Sequence, residues 1–186
     1  MKIKHPADED QDVASITRQI LQHLQVVSED NEEVDLHELT SSANNINLDQ
    51  VKDVCENLTG DDYLSKIIRA DHPNGYHIYK LAGSAVGITV DEFVGFCVEE
   101  LRIKTLIDFF ERSYHSAILR ERQDVKVRYE ISSEGVTISS IFSNIEKHKD
   151  ELMMDDYSVS QTSLEQVFNT FAAVAEKEKE NTVDGG

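Results

Sequence analysis

Residues 125–131 place the strongest constraint on the fold, because their side chains alternate strictly between apolar and charged. The apolar positions are Val125, Val127, Tyr129 and Ile131, and charged residues occupy the positions between them. This period of two predicts a β-strand with one face buried and the other in water. Apolar residues recur at helical spacing on both sides of the strand, in residues 90–113 and 138–152. We therefore expect an α+β fold in which helices cover one face of a sheet.

The order of the remaining patterns predicts a ferredoxin-like βαββαβ sandwich. Residues 1–4 supply its first strand, residues 117–121 its second, and the short run around Tyr157 its last. The sandwich is assigned to residues 1–5 and 83–175. An extra C-terminal helix is expected after residue 162, with a buried face made by Leu164, Val167, Phe168 and Phe171. The charged tail, residues 176–186, is expected to be disordered.

Residues 6–82 separate the first strand from the first helix of that sandwich. Three stretches of helical spacing come first, and the third begins with a capping pattern at Asn47 and Gln50. Two runs rich in Tyr and Ile follow, residues 63–70 and 76–81, around a strong turn signal. Three short helices followed by a hairpin predict a winged-helix-like insertion.

The charge of the chain argues against nucleic-acid binding. The formal net charge is −18, and the third predicted helix presents one lysine, Lys52, against Asp49, Asp53 and Glu56. Such a surface repels phosphate, so the insertion is expected to be a protein-contact or structural module. No apolar run reaches the roughly 20 residues that a membrane-spanning helix needs, so direct membrane insertion is not expected.

No motif for catalysis or cofactor binding is found in the sequence. A phosphate-binding Gly-x-x-x-x-Gly-Lys-Ser/Thr loop, a Gly-x-Ser-x-Gly elbow and a His-Glu-x-x-His pair are all missing. Asp71, His72 and His77 could ligate a metal, but a solvated turn is favoured because no further ligand pattern accompanies them. We predict no catalytic residues, no cofactor and no metal. Cys55 and Cys97 are expected to be buried free thiols.

Residues 156–172 read Asp-Tyr-Ser-Val-Ser-Gln-Thr-Ser-Leu-Glu-Gln-Val-Phe-Asn-Thr-Phe-Ala. This segment resembles the C-terminal signature of A-subfamily ABC transporters, in which Ser-Gln-Thr forms a turn before a Leu-Asp/Glu-Gln-Val-Phe helix. The likeness extends upstream through residues 138–152, 119–131 and 107–111 to the strand at residues 1–4. Two features depart from the family pattern: the block 6–82, and a missing proline before the Arg-Glu-Arg strand.

The resemblance implies a non-catalytic regulatory domain on the cytoplasmic side of a membrane, within an integral membrane protein that moves lipids with ATP. Its implied partners are the nucleotide-binding domains of the same transporter, with a second regulatory domain as a further candidate. As an isolated chain the protein is expected to be soluble. An alternative from another class stays open, namely a free-standing acidic winged-helix adaptor for protein interactions.

Four residues at the strand-to-helix corner are the predicted interface: Tyr157, Ser160, Gln161 and Thr162. Ser160, Gln161 and Thr162 are polar and lie where side chains are easily exposed. Tyr157 has two interpretations, as a core residue of the last strand or as part of the contact with a cassette.

Overall fold

The computed structural model describes residues 1–7, 10–27 and 35–162. It is built from seven helices and four strands in that part of the chain. In chain order they are β1 (Lys2–Ile3), α1 (Gln11–His23), α2 (Leu36–Ser42), α3 (Leu48–Leu58), α4 (Tyr63–Ile67), α5 (Tyr76–Ala82), α6 (Val90–Ser113), β2 (Ile118–Gln123), β3 (Lys126–Glu130), α7 (Ile138–His148) and β4 (Met154–Asp156). The predicted α+β class is confirmed. The predicted C-terminal helix and tail lie outside the described residues.

The four strands form one antiparallel sheet in the order β2-β3-β1-β4. β1 is central, with Lys2 opposite Lys126 of β3 and Ile3 opposite Met154 of β4. In β3, Val127 is buried while its neighbours Lys126 and Arg128 are exposed, so the alternating pattern has the predicted effect. The buried face of the sheet lies against α7 and the second half of α6.

Two hydrophobic cores share helix α6. The first half of α6 contributes Phe93 and Cys97 to a core formed with α1 to α5. The second half contributes Leu106 and Phe110 to a core formed with the sheet and α7. The 24 residues of α6 therefore join the helical block to the sandwich without a break.

The predicted hairpin of the insertion is wrong, because the runs at 63–70 and 76–81 contain helices α4 and α5 instead of two strands. Tyr and Ile favour strands in general, but Leu64, Ile67 and Ile68 recur at i, i+3 and i+4, and burial of this stripe stabilises a helix. The helices and strands of the block within its described residues are thus the five helices α1 to α5, and the hairpin on which the winged-helix adaptor alternative rested is removed.

The capping prediction is confirmed, because Asn47 and Gln50 form a capping box at the start of α3. At the start of α6, the Thr89 hydroxyl accepts a hydrogen bond from the Glu92 backbone N–H. Cys55 and Cys97 are free and buried in the helical core. Burial raises the pKa of the Cys55 thiol to about 12, so this thiol stays protonated and unreactive.

Candidate protein-contact site

Tyr157 lies directly after β4, where the sheet meets helix α7. Its ring centroid is 5.4 Å from that of Phe142, and its hydroxyl donates a hydrogen bond of 2.5 Å to the Glu146 carboxylate. Partial burial and the negative charge of Glu146 raise the pKa of Tyr157 to about 12, so the phenol remains a neutral donor. Tyr157 is half-buried, so part of its side chain packs as a core residue would and part remains exposed as a contact residue would.

The other three predicted interface residues follow Tyr157 on the surface. Val159 is half-buried against the sandwich core, and Ser160, Gln161 and Thr162 are exposed. The four residues lie within the six positions that follow β4, and Tyr157 contacts Phe142 and Glu146 of α7, so we call them the β4–α7 corner. Their role as an interface stays a prediction.

A shallow groove of about 440 Å³ runs over the open face of the sheet and reaches Tyr157. Charged side chains line much of it, and several are paired within the sheet. Lys2 lies 2.9 Å from Asp155, and Arg128 lies 3.1 Å from Glu121. Because its lining carries charges of both signs and is open, the groove offers a polar surface and lacks the enclosed apolar lining of a small-molecule site.

Helix α7 carries an apolar surface next to the β4–α7 corner. Ile138 and Phe142 lie one helical turn apart and are 47% and 51% exposed. Together with the ring of Tyr157 they form the α7 patch. The neighbouring Ile145 is fully buried in the sandwich core, so α7 is held in place by its inner face while this outer stripe remains in water.

Sequence reasoning missed the charged cluster that joins the helical block to the sandwich. Arg102 of α6 is only 4% exposed. Its guanidinium donates hydrogen bonds of 2.7 Å to both the Asp10 and Asp12 carboxylates, and one of 2.9 Å to the Lys4 carbonyl. The hydrogen bond from Arg102 also holds the pKa of Asp10 below its usual value. The signal in the sequence is an arginine inside the apolar stripe of α6.

A second buried ion pair involves Glu100, two residues before Arg102 in α6. Glu100, 3% exposed, accepts a hydrogen bond from Arg122 of β2, and the Tyr63 hydroxyl of α4 lies 3.5 Å from the same carboxylate. The two ionic clusters thus tie α1, α4, β1 and β2 to one segment of α6. They fix the relative positions of the helical block and the sheet.

The three candidate metal ligands make separate contacts. Asp71 pairs with Arg69 at 3.0 Å, and His77 lies 3.4 Å from Glu92. The His72 ring nitrogen accepts a hydrogen bond from the Asn74 backbone N–H. Within the described parts of the chain, no three His, Cys, Asp or Glu side chains come together as a metal site.

An exposed polar corner, a mixed-charge groove and an apolar patch thus lie around β4 and α7. A family model described as the ABCA1-like C-terminal R1 regulatory domain matches residues 87–161. The resemblance to regulatory domains of A-subfamily ABC transporters is therefore confirmed for this segment, which contains the elements from α6 to β4 and all of the corner except Thr162.

Individual relatives agree with the family match. ATP-binding cassette sub-family A member 2 of Homo sapiens is 41% identical over 70 residues, which are 38% of this chain and 3% of that protein. The retinal-specific phospholipid-transporting ATPase ABCA4 of Bos taurus is 36% identical over 76 residues, 41% of this chain and 3% of that protein. The phospholipid-transporting ATPase ABCA3 of Homo sapiens is 36% identical over 64 residues, 34% of this chain and 4% of that protein.

The matched segment spans only 3–4% of the length of these relatives, so the similarity concerns one domain of each of them. No solved structure matches the chain. Among the residues that the structure describes, no helix is both long and apolar enough to cross a membrane.

Proposed function

We propose that this chain is a non-catalytic regulatory domain of an A-type ABC lipid transporter, and that it acts by contacting the nucleotide-binding cassettes of the same transporter. The observation that carries the proposal is the match of residues 87–161 to the R1 regulatory domain. The relatives named for phospholipid transport supply the proposed cargo class. In this role the domain lies on the cytoplasmic side of the membrane, beside the cassettes.

The sandwich is proposed to be ferredoxin-like. The strand order β2-β3-β1-β4, the antiparallel pairing of β1 with both neighbours, and the positions of α6 and α7 between the strands support that topology. A sandwich of this kind covers one sheet face with helices and leaves the other face and the strand ends free for contacts.

The β4–α7 corner is the proposed contact with a cassette. Ser160, Gln161 and Thr162 present hydroxyl and amide groups that can both donate and accept hydrogen bonds. Tyr157 is fixed by Phe142 and Glu146, so its exposed edge is presented without a large loss of side-chain entropy on binding. A second regulatory domain is a further proposed partner.

The test is site-specific photocrosslinking in the full transporter that contains this chain. A photoreactive amino acid replaces Gln161 in one variant and Glu56, an exposed residue of α3, in the matched control. We expect crosslinked peptides from a nucleotide-binding cassette for position 161 and none for position 56. Crosslinks from neither position, or equal yields from both, would contradict the proposed contact.

A fractionated immunoblot tests the setting of the domain separately. An antibody raised against the chain is expected to detect a membrane-fraction band far above the 21.1 kDa of this chain. A band near 21.1 kDa outside the membrane fraction would show a separate protein and would overturn the assignment to a transporter.

A further inference from the structure

The α7 patch is an apolar surface without a partner among the described residues. Ile138 and Phe142 are about half exposed, and Phe142 contacts Tyr157 on one side only. The surrounding chain is strongly acidic, with a net charge of −18. Burying two large apolar side chains of this kind is favourable because it removes apolar surface from water. The patch therefore favours an apolar occupant.

The described chain ends five residues after Tyr157, which belongs to this patch. Val159 packs against the same core as α7, and Thr162 is the last described residue. Residues 163–186 continue from that point. Tyr157 and Leu164 are seven positions apart, which allows a span of up to about 25 Å. Helix α7, with 11 residues, is about 16 Å long, so the segment after Thr162 can reach any part of it.

The sequence of this segment supplies a complementary apolar stripe. Leu164, Val167, Phe168 and Phe171 recur at i, i+3, i+4 and i+7, the spacing of one helix face. We infer that residues 163–171 bind the α7 patch through this stripe, as an intramolecular interaction. The inference does not depend on the proposed contact with a cassette.

This interaction has a consequence for the β4–α7 corner. Val159 anchors the corner on one side, and Leu164 then anchors it on the other. Ser160, Gln161 and Thr162 are held between two fixed points, which reduces the conformational entropy that a partner must remove. The bound segment is thus a positioning element for the polar corner.

The absence of tryptophan from the chain permits a direct test in the full-length protein. Phe168→Trp introduces one fluorescent probe into the segment. We expect a blue-shifted emission and weak quenching by acrylamide, because the indole is buried on α7. Adding Phe142→Ala is expected to shift the emission to the red and to raise the quenching several-fold. Since Phe142 is 51% exposed, this substitution leaves the core intact.

The matched control is Val86→Ala, an apolar truncation at a side chain that is 76% exposed and lies outside the patch. It should leave both the emission and the quenching unchanged. A water-exposed tryptophan in the parent variant, or a blue shift that Phe142→Ala does not alter, would overturn the inference. A blue shift that disappears on dilution would assign the patch to a second copy, and one that appears only with an added cassette would assign it to that partner.

Discussion

Arg102 shows how a single residue holds two parts of this protein in a fixed relation. Its guanidinium is removed from water, and its donors are satisfied by two carboxylates, Asp10 and Asp12, and by one carbonyl beside β1. Removing a cation from water costs about as much free energy as its attraction to buried carboxylates contributes, so an intact buried ion pair adds little net stability. Loss of one partner is strongly destabilising, because the other charge is then left buried without compensation. The residue therefore fixes geometry more than it adds net stability.

Replacing Arg102 with Leu should destabilise the protein by about 3 kcal/mol, at the lower end for a broken buried ion pair. The lower end applies because the Asp10 and Asp12 side chains, 26% and 33% exposed, can regain water. Urea unfolding of the full chain measures the effect. Arg112→Leu, at an exposed position of the same helix, is the control and should change stability by less than about 0.5 kcal/mol. Equal effects of the two variants would show that the Arg102 cluster has no special role.

The helices and strands that a local sequence pattern specifies were predictable, whereas those that depend on tertiary burial were not. The strand at residues 125–131 and the cap at Asn47 were predictable, because alternation and capping are local patterns. Helices α4 and α5 have only five and seven residues, too few to be stable alone. Burial of Leu64 and Ile78 in the shared core stabilises them, and that tertiary contribution is not visible in local propensity.

The turn between α4 and α5 gives a prediction at this scale. A Cβ atom on Gly75 would lie 2.0 Å from the Ile67 carbonyl oxygen, so Gly75→Ala forces the two helices apart. We expect a loss of about 2 kcal/mol, typical of overpacking, in thermal or urea unfolding. Gly95 of α6 is the control, since a Cβ atom at that position would meet no other atom within 4 Å. Gly95→Ala should stabilise the protein by about 0.5–1 kcal/mol through helix propensity.

For the whole molecule, the important feature is that α6 belongs to both cores. The apolar spacing of residues 90–113 was visible in the sequence, but its division between two cores was not, because the division depends on which distant segments pack against each half of the helix. The exposure of Ser160, Gln161 and Thr162 was also predictable from the sequence, whereas the ionic clusters of Arg102 and Glu100 were missed. Charged residues inside an apolar stripe gain their partners only from distant segments, here Asp10 and Arg122.

The shared helix predicts that the sandwich depends on the helical block. Removing residues 6–86 and joining the ends with about eight Gly and Ser residues is geometrically possible. Lys4 contacts Arg102, which lies twelve residues, or about 18 Å, along α6 from Val90. A linker of eight extended residues spans about 27 Å, which is long enough to cover that distance. The deletion would expose Phe93, Val94, Cys97 and Val98, which are at most 5% exposed in the full chain.

We expect the deleted protein to self-associate in size-exclusion chromatography with light scattering, because four core side chains would form a contiguous apolar surface. Replacing those four residues with Gln and Lys in the deleted protein is the matched control. It should restore a monomer whose sheet and α7 remain folded, since the second core begins only at Ile103. A monomeric deletion variant without these replacements would show that the first half of α6 does not need the helical block. Association that persists after the replacements would show instead that the sandwich itself requires the block, through the ionic contacts of Arg102 and Glu100.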